Sequence, residues 1–180
     1  VATSVLKASL SLGICAALAL GRVQAATTDW KHYAGGYGKT ITYKWADVES
    51  ASYADNVDNA AVRWNTFAGS PVLAFDSSHS ANTYQVGNQN FGYTWYGLYT
   101  PYTNFWGRVT SFLIQINVYQ LMLDGCDMAA VESSMAHEMG HAFALGDLED
   151  GPQLMSHGRN RDTTLGPQDG DQTGVKSIWK

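Results

Sequence analysis

The chain has 180 residues, of which 45% are hydrophobic and 12% aromatic. That is enough for one domain with a sizeable core, and it gives no indication of a repeat array or a disordered tail. A formal net charge of −5 argues against nucleic acid as a partner.

Residues 1–25 read as an export signal. Lys7 supplies a positive start, Ala8 to Leu20 form an apolar stretch, and Val23-Gln24-Ala25 offers a small-residue cleavage site. The apolar stretch is too short to span a bilayer comfortably and no second one follows. The expectation is therefore a secreted, extracellular protein without membrane association after cleavage near Ala25. Lys7 and Arg22 leave with the signal, so nine basic residues face sixteen acidic ones, a net charge of −7. Cys15 leaves too. Cys126 then has no partner for an internal disulfide, and stability must come from packing, to which a bound metal could add. Cys126 itself reads as a small buried side chain.

Residues 26–39, with Ala34-Gly35-Gly36-Tyr37-Gly38, read as a flexible N-terminal leader, and residues 40–180 as a single folded domain. Residues 40–45 alternate and predict a strand with Ile41, Tyr43 and Trp45 on one face. Ser52 is placed to cap a helix whose Val57, Ala60, Ala61, Trp64 and Phe67 recur at helical spacing. Val72 to Phe75 and Thr83 to Val86 predict two further strands. The stretch from Gly87 to Gly107 carries Trp95, Tyr96, Tyr99, Tyr102, Phe105 and Trp106. It reads either as a strand edge and long loop packed with aromatics or as a surface for sugars or peptides. Phe112, Ile114, Ile116 and Val118 then alternate with Leu113, Gln115, Asn117 and Tyr119, the clearest strand in the chain. Asp127 is a natural N-cap for a helix in which Val131, Met135, Glu138, Ala142 and Leu145 recur near every 3.6 residues. Gly146 is its expected stop. Pro167 can open a last helix that buries Val175, Ile178 and Trp179. Strands and helices in this order predict an α/β or α+β domain.

His137-Glu138-Met139-Gly140-His141 matches the pattern H-E-x-x-H. Histidines four apart on a helix lie one turn above the other, so both imidazoles can reach one metal ion. Zinc suits such a pair, and Glu138 stands where it can take a proton from water on the metal. A third protein ligand is needed. No glutamate occurs after Glu149, which argues against a glutamate on a later helix. Asp147 is the nearest candidate, with Glu149, Asp150, His157 and Asp162 as substitutes. Asp76, Asn82, Asn88 and Asn90 match no calcium-loop template, so the sequence gives calcium no support and leaves it open.

The segment from His137 to Asp147 resembles the extended metzincin motif, H-E-x-x-H-x-x-G-x-x-H/D, in the aspartate-ending form of the snapalysin type of small secreted bacterial proteases. Leu154-Met155-Ser156-His157-Gly158 is similar to the methionine turn of that family. Gly174 to Trp179, behind Pro167-Gln168-Asp169, is similar to the closing helix of matrixins. The resemblance is specific over residues 131–179 and only architectural before that. It implies a metzincin-like α+β fold: a twisted, mostly parallel sheet with an antiparallel edge strand, an active-site helix and a C-terminal helix.

The same resemblance implies one catalytic Zn2+ on His137, His141 and Asp147, with Glu138 as general base and Met155 packed beneath the metal. His157 would then contact the oxyanion or substrate, or simply lie exposed. The implied protein is a monomeric metalloendopeptidase acting on protein or peptide substrates. One departure matters: the family's turn glycine is Ala144 here. A left-handed Ala costs about 1 kcal/mol or more relative to Gly, which leaves open a helix that runs on and turns at Gly146. Two other readings stand beside the protease: a catalytically silent zinc- or peptide-binding module, and an aromatic-rich sugar-binding protein.

Overall fold

The computed structural model describes residues 40–67, 71–78, 80–87 and 90–179. Residues 1–39, where the sequence places the signal and leader, lie outside the described residues, as do His32, His79 and Asn88.

Five strands form one mixed sheet: β1 (Thr40–Val48), β2 (Val72–Phe75), β3 (Thr83–Gly87), β4 (Gly97–Thr103) and β5 (Val109–Asn117), in the order β2-β1-β3-β5-β4. All neighbouring pairs are parallel except β4 with β5, so the one antiparallel strand lies at an edge. The expected α+β class, mostly parallel sheet and antiparallel edge strand are all present. The alternation in β5 does what it predicts: Phe112, Ile114 and Ile116 are fully buried on one face, while Leu113 and Gln115 on the other are only partly covered.

The described residues also form four helices: α1 (Ala51–Asn65), α2 (Val118–Leu123), α3 (Met128–Ala142) and α4 (Asp169–Ile178). Helix α1 lies against β1 and β2, α3 lies against β4 and β5, and the two helices pack on each other. Trp64 of α1 joins them. It is fully buried, donates from Nε1 to the Ala136 carbonyl at 2.8 Å, and its ring lies 4.8 Å from that of Phe143. Among the described residues no helix is long and apolar enough to cross a membrane.

Several boundaries differ from the sequence reading. Ser50, not Ser52, caps α1, since its side chain accepts from the Tyr53 N–H. Phe67 is buried but lies beyond the helix end. The predicted strand through Val118 stops at Asn117, whose side chain caps α2 by accepting from Gln120 N. A local cap thus overrides the alternation at Val118. Trp45 is 39% exposed, and its ring lies 4.7 Å from that of Phe75, also exposed, at a tilt of 38°. Pro167 precedes the Gln168 cap of α4 rather than opening the helix; Val175 and Trp179 are buried as expected, whereas Ile178 at the end of the helix is only partly buried. Cys126 is free and only half-buried.

Candidate metal centre

Helix α3 starts where its cap predicts: the Asp127 carboxylate accepts from Ala129 N at 2.8 Å and Ala130 N at 3.2 Å. It ends before Gly146. Ala144 N donates to His141 O and Leu145 N to Gly140 O, the paired bonds of a Schellman turn, which needs a left-handed residue at Ala144. Ala144 supplies it with φ 65°, at about 1–2 kcal/mol for a non-glycine residue. Phe143 and Leu145, both fully buried, hold the turn in place, and Trp179 Nε1 donates to the Phe143 carbonyl at 2.7 Å. Tertiary packing therefore imposes at Ala144 the turn that propensity would have placed at Gly146. The chain reverses early enough to carry Asp147 back toward α3.

Asp147 Oδ1 lies 3.0 Å from His137 Nε2, 3.6 Å from His141 Nε2 and 3.3 Å from His157 Nε2. The two helix imidazoles stand nearly perpendicular, with ring centres 5.2 Å apart. On its far side each ring meets a carbonyl: His137 Nδ1 is 2.9 Å from Leu154 O, and His141 Nδ1 is 2.8 Å from Leu145 O. Burial pushes the His137 ring down to about 4 and lowers His141 as well. Burial works to raise the Asp147 carboxyl, but the contact with His137 and the charges of the neighbouring imidazoles outweigh it and hold it at about 2. Near neutral pH the two helix rings are uncharged and Asp147 is ionised.

With both rings neutral, the hydrogen-bonding pattern favours a cation. A carbonyl only accepts, so each Nδ1 carries its ring's proton and each Nε2 presents a lone pair. His137 Nε2 and Asp147 Oδ1 thus face each other at 3.0 Å as two acceptors. The other tautomer merely moves the clash to Leu154 O. A positive ion among these atoms removes the conflict, and two imidazoles with a carboxylate form a donor set suited to zinc. The residues present fit the metal. Two metal-capable groups occur among the described residues, His137-Glu138-His141 and His137-Asp147-His157, each with ligand atoms within 4.8 Å of one another. Glu149, Asp150 and Asp162 are exposed and belong to neither.

Met155 is fully buried beneath α3. A Cβ at Gly140 would run into its Sδ and press on Trp64, so the glycine within the histidine motif is what lets the methionine sit there. The segment around it is pinned twice. Leu148 N donates to Met155 O and His157 N to Leu148 O, each at 2.8 Å, tying the strand of chain after Asp147 to the one before His157. From α4, the fully buried Asp171 accepts from Leu154 N at 2.8 Å and Met155 N at 3.1 Å. His157 is 55% exposed at the side chain and projects over the cleft.

Glu138 is buried beneath the edge strand. The backbone N–H of Tyr99 hydrogen-bonds its carboxylate, and a Cβ at Gly97 would overlap it. Burial, followed by the charge of Asp147, raises the Glu138 carboxyl to about 8. Two lobes of one cleft, each about 220 Å3, meet at His137, Glu138, His157 and Gly97. One runs past Leu98, Tyr99, His141 and Asp147; the other runs under Trp95 and Tyr96 to Ser134, Arg159 and Arg161.

The sequence reading missed Gly97, Ser134, Arg159 and Asp171. Only Asp171 left a local signal, three residues after the Gln168 cap, where it completes a capping box. Asn82, weighed for calcium, bridges strands instead: its amide donates to Thr42 O and its oxygen accepts from Phe112 N.

No protein-family model matches the chain, and no curated protein matches it. Among solved structures the chain is similar to archaemetzincin from Methanopyrus kandleri, with a TM-score of 0.49 and 10% identity, over 82% of this chain and 95% of that one.

Proposed function

We propose that the protein is a secreted zinc-dependent endopeptidase that acts as a monomer on protein or peptide substrates. The observation that carries this reading is the convergence of His137 Nε2, His141 Nε2 and Asp147 Oδ1, next to a buried carboxylate on an open cleft. In this reading His137, His141 and Asp147 hold one zinc ion. Zinc held there supplies Lewis acidity toward water and toward the scissile carbonyl.

Glu138 does the proton work: it takes a proton from the attacking water and returns it to the leaving amine. A carboxyl that burial has raised to about 8 is suited to holding and releasing a proton near neutral pH, and a bound cation draws it toward the ionised form. The Tyr99 N–H and the bare Cα of Gly97 keep that carboxylate aimed into the cleft. Strand β4 pairs with β5 on one side only, so an extended peptide can lie along its outer edge and cross the metal site. His157, at the junction of the two lobes, is placed to contact the substrate. Residues 1–25 supply the export signal that the secreted reading requires.

Metal analysis and casein hydrolysis of wild type and Glu138→Ala test binding and turnover together. Wild type should carry one zinc per chain and lose activity on chelation. Glu138→Ala should keep its zinc and lose about 10²–10⁴-fold in turnover, the usual worth of a positioned general base. Undiminished hydrolysis by that variant would overturn the assignment.

A further inference from the structure

The second lobe of the cleft is lined by two cations with no carboxylate in salt-bridge contact among the described residues. Arg159 is 6% exposed, and its guanidinium donates only to neutral acceptors: Ser133 Oγ at 3.2 Å, Ser156 O at 2.9 Å and Ser133 O at 3.4 Å. Two of its five N–H groups remain. Arg161 lies over the Tyr96 ring at 4.9 Å, and its buried Nε has no protein partner. Neither arginine forms a salt bridge among the described residues. Ser134, one turn before His137 on α3, is 2% exposed, and its hydroxyl is likewise unpartnered at the lobe wall.

Two guanidinium groups sharing one wall repel each other, and burying charge without a counter-charge is costly. A chain with net charge −5 has carboxylates to pair them with, yet the acidic groups whose fields reach Arg159 all have other tasks. Asp171 holds the methionine turn, Asp147 faces the imidazoles, and Glu138 faces the cleft. Beside Arg161, Asp162 is exposed, and Asp124 accepts from Tyr96 and Gln120. The lobe holds about 220 Å3 against roughly 30 Å3 per water, so it has room for an acidic side chain with water around it.

We infer that this lobe binds a carboxylate carried by the substrate next to the scissile bond, with Arg159, Arg161 and Ser134 as its donors. The inference rests on the zinc-peptidase part of that reading and names the substrate class. The shared chemistry is a peptide carboxylate, which an internal Asp or Glu or the chain terminus could present. A planar guanidinium fork matches it in two-point geometry, and pairing desolvated charges discriminates strongly against the neutral amide.

Two matched peptide pairs test it on the zinc-loaded full chain. One pair differs by Glu against Gln on either side of the cleaved bond; the other ends in a free carboxylate or its amide. The expected result is a kcat/KM ratio of about tenfold or more in favour of the carboxylate in one pair, as a charge-assisted bond provides. Which pair shows it identifies the source. Arg161→Gln, at a half-buried position, should bring that ratio within about threefold of unity, and Arg161→Glu should invert it in favour of the amide member of the pair. Because each ratio is internal to one variant, partial loss of folded protein does not mimic the effect. Arg159→Gln should act in the same direction, with Arg159→Lys restoring part of the preference. Equal cleavage within both pairs by wild type, or a preference unchanged in Arg161→Gln, overturns this inference alone. No cleavage of any peptide by zinc-loaded protein overturns the endopeptidase reading and this one with it.

Discussion

Helices α1 and α3 are each fifteen residues long and pack on one another, yet they solve burial differently. Helix α1 is amphipathic: Ala54, Val57, Ala60, Ala61 and Trp64 face the core, while Val62, Arg63 and Asn65 face water. Helix α3 is buried all round from Ala130 to Gly140, and its buried residues include Glu132, Ser133, Ser134, His137 and Glu138. A one-sided helix needs only an apolar stripe. A helix covered on every side must find a partner for each polar group it buries. Glu132 pairs with Arg63 and Ser133 donates to Thr164 O, whereas Nε2 of each helix histidine is left facing other acceptors. The helix with the unresolved polar face is the one that calls for an ion.

That contrast can be broken at three strengths. The largest effect is expected on the α1 side. Trp64→Ala empties a fully buried position that also hydrogen-bonds α3, and should cost about 3–5 kcal/mol of unfolding free energy. Chemical denaturation will show it; a loss under 1 kcal/mol would mean that the two helices are not joined through this residue.

Next comes the polar face of α3. Gly97→Ala places a methyl group where the Glu138 carboxylate lies. A misplacement of about 1 Å can cost 10²-fold in rate, so kcat should fall about a hundredfold while zinc content and thermal stability hold. An unchanged kcat would show that Glu138 does not depend on the close approach of β4.

The smallest effect lies at the end of α3, where Ala144→Gly relieves a left-handed residue. It should stabilise by about 1 kcal/mol, raising the unfolding midpoint with activity retained. Destabilisation would imply that the buried methyl group contributes more than the backbone strain costs.

How much of this was legible beforehand follows the range of the interactions. Strand β5 and the N-terminus of α3 were readable because a period-two pattern and an Asp127 cap are written within a few residues. The pairing of His137 with His141 was readable for the same reason: one helical turn separates them. The stop of α3 was not. Gly146 is the better local choice, and Ala144 takes the turn because Phe143, Leu145 and Trp179, the last of them 35 residues downstream, pack around it. Arg159 and Ser134 were invisible for a related reason. A serine or arginine carries no sequence mark that tells a solvated side chain from one lining a buried wall, and only the fold brings residues 134 and 159 to the same lobe.

Asp171 bears on the order in which the protein comes into being. Its carboxylate is the acceptor for the N–H groups of Leu154 and Met155, and it is made sixteen residues after the methionine it secures. Until that stretch has been synthesised, the loop under the histidines lacks its anchor, and the His137 ring lacks a fixed Leu154 carbonyl to orient against. The arrangement around the His137 ring is therefore complete only once α4 has docked.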